Sequence, residues 1–178
     1  VFGADVSQNE VEGNKEHWGN TVLTAWQEQG LVNGFPDGSL RPDEQVTRAQ
    51  FVTLLNNLFQ FSTSSTTQAA TISFKDVAAN DWFYQDVVAV ATAGIIQGYP
   101  DGSFKPQATV SRQDAAKMLA TAFKLKQAES SANKLSQFAD ETSVSSYARL
   151  ALEQLVAVGA IQGYNDGTIR PLKALTRA

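Results

Sequence analysis

The chain has 178 residues, 43% of them hydrophobic, a net charge of −4 and no cysteine. It is long enough to bury one substantial core. Disulfides and thiolate metal sites are excluded, and no basic stripe invites nucleic acid.

Taken in order, residues 1–15 are polar and without period, and they read as an extended lead-in with Phe2 and Val6 against the body. Val1–Asp5 is compatible with a mature start after cleavage, and no apolar run approaches the roughly 20 residues a membrane helix needs. A first helix is expected from Glu16 to Gln29, with Trp18, Val22, Leu23 and Trp26 on one face and Leu31–Val32 beyond. Gly30 is its expected left-handed cap.

The next stretch occurs three times: Gly34-Phe35-Pro36-Asp37-Gly38-Ser39-Leu40-Arg41-Pro42, then the same pattern from Gly98 to Pro106, then from Gly163 to Pro171. The leading glycines lie 64 and 65 residues apart, which marks repeated supersecondary units. Pro-Asp-Gly is turn chemistry, and the flanking residues (Phe35 and Leu40, Tyr99 and Phe104, Tyr164 and Ile169) have the spacing of a very short β-ribbon.

A second helix follows each turn. Thr47 caps it with Gln50 at the box position, Val46 and Phe51 form a staple, and Phe51, Leu54, Leu55, Leu58 and Phe59 make the expected buried stripe. In the second unit Ser111 caps with Asp114, a weaker box residue. There the stripe is Ala115, Met118, Leu119, Ala122 and Phe123. The third unit reaches Thr176-Arg177-Ala178. Ser62–Thr71 and Gln127–Lys134 read as surface linkers. Each precedes a Phe-x-Asp segment, Phe74-Lys75-Asp76 and Phe138-Ala139-Asp140. The first helix of the later units repeats the pattern: Trp82, Val87, Val90 and Gly94, then Tyr147, Leu152, Leu155 and Gly159.

The expected fold is all-α with at most very short β-ribbons. It forms a single domain, 1–178, of three helix-turn-helix units (about 1–61, 72–126 and 136–178, the third truncated), with the Trp/Tyr-bearing helices meeting at the centre.

Arginine directly follows the cap in all three units: Arg48, Arg112 and Arg177. A cation there opposes the helix dipole, by about 0.3–1 kcal/mol each. Two readings stand open. One is a salt bridge to Asp37, Asp101, Asp166 or the Phe-x-Asp aspartates. The other is an anion site, in which guanidinium and free helix amides take a carboxylate or phosphate. Trp18, Trp82 and Tyr147 are more often core than binding platform, although an exposed ring edge would suit the apolar face of a sugar. The Asp-Gly turns match an EF-hand poorly, so neither a metal nor a cofactor is called for. The lone His17 and the unrepeated carboxylate pairs supply no catalytic set.

The pattern Phe-x-Asp, Trp, Gly-Ile-Ile-x-Gly-Tyr-Pro-Asp-Gly-Ser-Phe-x-Pro, Thr-Arg-Ala resembles the S-layer homology (SLH) repeat of bacterial cell-surface proteins, in three copies over nearly the whole chain. The family's Thr-Arg-Ala-Glu signature stands here as Thr47-Arg48-Ala49-Gln50, Ser111-Arg112-Gln113-Asp114 and Thr176-Arg177-Ala178. The first unit has no clean Phe-x-Asp; its nearest match is Asp5–Val6.

The resemblance implies a pseudo-threefold, three-pronged spindle around a central helical bundle, secreted to the cell wall or S-layer. It further implies grooves that bind secondary cell-wall polysaccharide, an acidic, pyruvylated amino sugar, through Arg48, Arg112 and Arg177. Trp18 and Trp82 would flank the sugar or the bundle. Gly34, Gly98 and Gly163 would let the backbone approach, with Asp76 and Asp140 beside them as ligand candidates. Rival readings are a peptidoglycan tether, a self-assembling lattice module and a calcium-dependent dock; an enzyme comes last. The short third unit leaves an uncovered stripe, to be met by residues 1–15, by more chain, or by self-association with a second molecule. Membrane insertion is not expected. On this reading Arg48→Ala and Arg112→Ala weaken wall binding without unfolding the domain.

Overall fold

A computed structural model describes residues 17–61, 73–125 and 133–178. The lead-in, the start of the first helix at Glu16, Asp5–Val6 and nearly all of both linkers lie outside the described residues.

The second helices begin where the sequence places them. Thr47 Oγ1 accepts the Gln50 amide at 3.3 Å and Gln50 Oε1 accepts the Thr47 amide at 3.0 Å, so the capping box closes both ways and starts α2 (Arg48–Phe59). At the start of α4 (Arg112–Ala122) the return bond is missing. Aspartate is one methylene too short, and Asp114 instead accepts the Ser111 hydroxyl at 2.7 Å. The first helices of the units are α1 (Asn20–Glu28), α3 (Tyr84–Thr92) and α5 (Ser146–Ala157). A single 3₁₀ turn, Glu141–Ser143, precedes α5. Each first helix is stopped by its glycine, with φ between 70° and 73° at Gly30, Gly94 and Gly159, a conformation that costs a side chain dearly.

The fold is all-α as read, and among the described residues the turns carry not even a short ribbon. The turns close with a pair of backbone bonds, such as Tyr99 N–H to Ser103 O at 2.7 Å and Gly102 N–H to Tyr99 O at 2.9 Å. The amides that would extend a ladder are taken by side chains. Asp76 accepts from Phe104 and Lys105 N–H at 2.7 and 2.8 Å, and Asp140 accepts from Ile169 and Arg170 N–H at 2.8 Å each. The Phe-x-Asp aspartates are therefore clamps on the turn.

The extended residues before each signature arginine meet in a ring. Val46 N–H donates to Leu175 O, Leu175 N–H to Val110 O, and Val110 N–H to Val46 O, all at 2.9–3.0 Å. This closed triangle is the pseudo-threefold axis, and lone antiparallel bridges surround it (Gln45 with Thr176, Thr47 with Thr109, Ser111 with Ala174). Around it α2 packs on α3, α4 packs on α5, and α2 touches α4. Helix pairs thus join the second helix of one unit to the first of the next. The Trp/Tyr-bearing helices do not meet at the centre, and among the described residues no helix packs on α1. One apolar cluster draws on all three units, with Phe51, Leu55, Phe104, Leu152 and Ile169 almost fully buried.

The stripes hold except at their ends. Ala49 and Val52 are buried on α2 while Leu58 is 43% exposed, and Phe123 beyond α4 is 57% exposed, its ring edge-on to Phe59. The rest of the α4 stripe, Ala115, Met118, Leu119 and Ala122, is buried as read, and so are Phe51 and Leu55 on α2. Leu135, at the edge of a linker read as surface, is fully buried.

Candidate functional site

The signature arginines are placed by their helix starts and point out of their own unit. Arg48 Nε donates to Phe104 O at 3.0 Å, Arg112 Nη2 to Gln162 O at 2.5 Å, and Arg177 Nε and Nη2 to Leu40 O and Asn33 O at 2.8 Å each. The order is cyclic: unit one reaches unit two, two reaches three, three returns to one. The salt-bridge reading is overturned, because these partners are backbone carbonyls. The turn aspartates pair elsewhere: Asp37 with Arg41, Asp101 with Lys75 and Asp166 with Arg170.

The idea of free helix amides also fails. Arg48 and Ala49 N–H donate to Ala108 O and Pro106 O, Arg112 and Gln113 N–H to Lys173 O and Pro171 O, and Arg177 and Ala178 N–H to Glu44 O and Pro42 O. The orphan donors at the starts of α2 and α4, and the equivalent amides of the third unit, are satisfied by the neighbouring turn exit. What the arginines offer a ligand is guanidinium, not helix terminus.

Each guanidinium also lies over an aromatic ring of the unit it reaches. Arg48 is 5.1 Å from the Tyr99 centroid, Arg112 5.3 Å from Tyr164 and Arg177 5.1 Å from Phe35. Every one of these rings carries a second cation: Lys105 at 4.0 Å over Tyr99, Arg170 at 4.1 Å over Tyr164 and Arg41 at 3.8 Å over Phe35. Those second cations hold positive φ at 45–58° in all three units, a conformation that needs its surroundings to enforce it. Arg48 and Arg112 are only 5% and 3% exposed. Burial lowers the Arg112 pKa, and it lowers that of Arg177, partly offset by the Glu44 charge. A guanidinium stays protonated nonetheless. The Nε of Arg112 has no hydrogen-bond partner among the described residues, unlike its two counterparts.

Among the described residues two grooves open beside these arginines, built from equivalent positions. The larger, of ≈ 650 Å³, runs along Gly94–Tyr99 and the face of α4 carrying Asp114, Lys117, Met118 and Thr121. Arg48 comes in from unit one and Tyr147 from unit three. The smaller, of ≈ 210 Å³, runs along Leu31–Phe35 and the face of α2 carrying Gln50, Thr53, Leu54 and Asn57, with Arg177 and Trp82 from the other units. By their place in the repeat, Arg112, Gly163 and Trp18 correspond to Arg48, Gly98 and Tyr147 of the larger groove.

The aromatic residues correct the core expectation. Trp82 is 64% exposed, Trp18 51% and Tyr147 52%, so their ring faces are open at groove rims or surface. They stand at or before the first turn of their helices, outside the buried i, i+4 stripe. Tyr147 donates its hydroxyl to Asp114 Oδ1 at 2.6 Å. Burial, then this bond and the Asp114 charge, raise its pKa well above the usual phenol range.

The glycines are explained by packing. A Cβ on Gly98 would come 2.5 Å from the Phe74 ring and 2.9 Å from Ser103 O, and one on Gly163 would strike the Phe138 ring and approach Thr168 O at 3.0 Å. At Gly34 the obstacle is only the end of the Gln27 side chain, 2.7 Å away, since unit one has no equivalent phenylalanine among the described residues. Asp76 and Asp140 line neither groove. Among the described residues no three acidic or histidine side chains converge as metal ligands.

Sequence reasoning passed over Asp114, Lys117, Thr53 and Asn57 as groove residues. Counted from Gln50 and from Asp114, they and Thr121 fall at i, i+3 and i+7 on one helix face, but nothing in a single sequence says which neighbour that face opens toward.

A family model described as the S-layer homology domain matches residues 14–52, 73–116 and 137–178. The chain is similar to the surface-layer 125 kDa protein of Lysinibacillus sphaericus, 32% identical over 75% of this chain and 11% of that protein. It is also similar to a cellulosome-anchoring protein of Acetivibrio thermocellus, 29% identical over 83% of this chain and 33% of that one. An endoglucanase of a Bacillus species is 27% identical over 98% of this chain and 19% of the enzyme. The chain spans a third or less of the length of each.

Proposed function

The chain belongs to the S-layer homology domain family, and from that premise we propose that it is a non-catalytic module anchoring a larger protein at the bacterial cell surface by binding cell-wall polysaccharide in its inter-repeat grooves. The observation that carries this reading is the construction of the two grooves. Each joins a guanidinium (buried at Arg48, half-buried at Arg177), an aromatic floor and an exposed aromatic rim, assembled from all three units. A fixed cation suits an acidic group, and an exposed ring suits the apolar face of a sugar. The ligand on this reading is an acidic glycan, the pyruvylated amino sugar of a secondary cell-wall polymer. Its ketal carboxylate approaches the terminal amino groups of Arg48, which are free of other hydrogen bonds among the described residues, and those of Arg177. Arg112 serves the third junction.

The name of the cellulosome-anchoring relative supports an anchoring role, and that of the surface-layer relative supports a surface location. Catalysis in the endoglucanase relative is a property of that protein, most of which lies outside the shared stretch. The test is a titration of the chain with purified cell walls before and after chemical removal of the pyruvate ketals. Removal is expected to weaken binding about tenfold or more, the scale of one buried charge-assisted contact. Equal binding to both preparations overturns the acidic-glycan reading.

A further inference from the structure

The two grooves share their positions and differ in their chemistry. Gln50 of the smaller corresponds to Asp114 of the larger, Thr53 to Lys117, Asn57 to Thr121 and Trp82 to Tyr147. The difference at Thr53 and Lys117 matters most. Thr53 is tied down, its hydroxyl donating to Asp86 on α3 at 2.6 Å. Lys117 is exposed on the groove wall, and among the described residues no carboxylate lies within ion-pair distance of it. The nearest acid along its own helix face, Asp114, already accepts the Tyr147 hydroxyl on one oxygen at 2.6 Å and the Ser111 hydroxyl on the other at 2.7 Å. Among its lining residues the larger groove therefore holds two cations, Arg48 from α2 and Lys117 from α4, beside one carboxylate, Asp114, whose oxygens face the Tyr147 and Ser111 hydroxyls; the smaller holds one cation, Arg177, and no carboxylate. Size runs the same way. A volume of ≈ 650 Å³ falls within the roughly 300–1,000 Å³ of sites that enclose a ligand of several rings, and ≈ 210 Å³ falls below it.

We propose that the larger groove is selective for a glycan segment bearing two acidic groups on successive sugars, one taken by Arg48 and the second by Lys117, while the smaller groove takes a single acidic sugar. This rests on the acidic-glycan reading above and adds a specificity residue to it. A lysine suits the second position because its point charge on a flexible stem accepts anions of varied geometry, whereas the buried fork of Arg48 fixes one carboxylate.

The test uses two probes in calorimetric titrations: a pyruvylated N-acetylhexosamine, and a disaccharide joining that sugar to glucuronic acid. In a chain carrying Arg177→Gln, to weaken the smaller groove, the disaccharide is expected to bind about fivefold tighter than the monosaccharide, the upper range for a partly solvated ion pair. Lys117→Thr, which copies the residue of the smaller groove, is expected to bring that ratio close to one, and 1 M salt to do the same in the unsubstituted chain. Thr53→Lys is expected to raise the ratio at the smaller groove. An unchanged ratio in Lys117→Thr, with circular dichroism confirming the fold, overturns the role of Lys117 and leaves the acidic-glycan reading standing. Failure of the disaccharide alone to bind the unsubstituted chain overturns the two-acid proposal, and failure of both probes overturns the acidic-glycan reading with it.

Discussion

The α2–α3 and α4–α5 pairs occupy equivalent places and are held by opposite means. Between α2 and α3, Asp86 accepts the Thr53 hydroxyl at 2.6 Å and the Asn56 amide at 2.7 Å. The corresponding positions between α4 and α5 are Ala120 and Ala151, 5% and 4% exposed, and small residues there let the helices close on each other. The polar contacts of the second pair sit at its edge. Gln113 and Ser145 exchange two bonds at 3.0 Å, and Tyr147 meets Asp114. Two units can differ this much because the threefold frame is backbone: the Val46–Leu175–Val110 triangle and the helix-start amides on turn carbonyls use no side chain. A frame indifferent to side chains leaves the helix faces free to diverge, and the grooves diverge with them.

The largest effect is expected where the units depend on each other most. Arg48→Ala removes a buried, charge-assisted donor, strands Phe104 O and empties the space beside Tyr99. We expect about 3 kcal/mol of destabilisation in urea unfolding. The same measurement tests the sequence-based expectation that this change weakens binding without unfolding the domain, and Arg48→Lys is the variant that separates binding from folding.

Gly98→Ala comes next, at about 2 kcal/mol, because the methyl must displace a ring and a carbonyl. Gly34→Ala, which meets only the tip of Gln27, is expected to cost about 0.5 kcal/mol or less. Equal losses at the two positions would show that the Phe74 contact is not what excludes a side chain.

Asp86→Ala should cost about 1.5 kcal/mol, since it leaves Thr53 and Asn56 without their acceptor. Hydrogen exchange should quicken in α2 and α3 and stay as it was in α4 and α5. Faster exchange in all four helices would mean that the two pairs do not act independently.

The smallest effect is in acid. The Ser103 hydroxyl, then its amide, lower the Asp101 pKa to about 2; the Thr168 hydroxyl and Arg170 do the same for Asp166. Asp37 lies lower still, held by Ser39 and Arg41. Because these folded values are depressed, the stabilisation is complete above the unfolded value of 3.8 and is lost as pH falls through about 2. The Ser103 and Thr168 amide resonances should shift together near pH 2, with Ser39 following at lower pH. A transition near 3.8 in any of the three would remove the turn bonds from the account.

The sequence alone determined what is local and repeated. The 64- and 65-residue spacing, the glycine stops, the Pro-Asp-Gly turns and the Thr47 capping box all rest on backbone angles and on contacts within a few residues, and each is found as read. Tertiary structure decided what depends on another unit. It turned the Phe-x-Asp carboxylates into clamps on amides 28–30 residues away, sent the arginines to carbonyls of the neighbouring unit, and exposed Trp82 and Tyr147 at groove rims. The reason is physical: a helix face can be read from its period, but what it faces is set by a ring of backbone hydrogen bonds among three segments distant in the chain, and such bonds carry no residue signature.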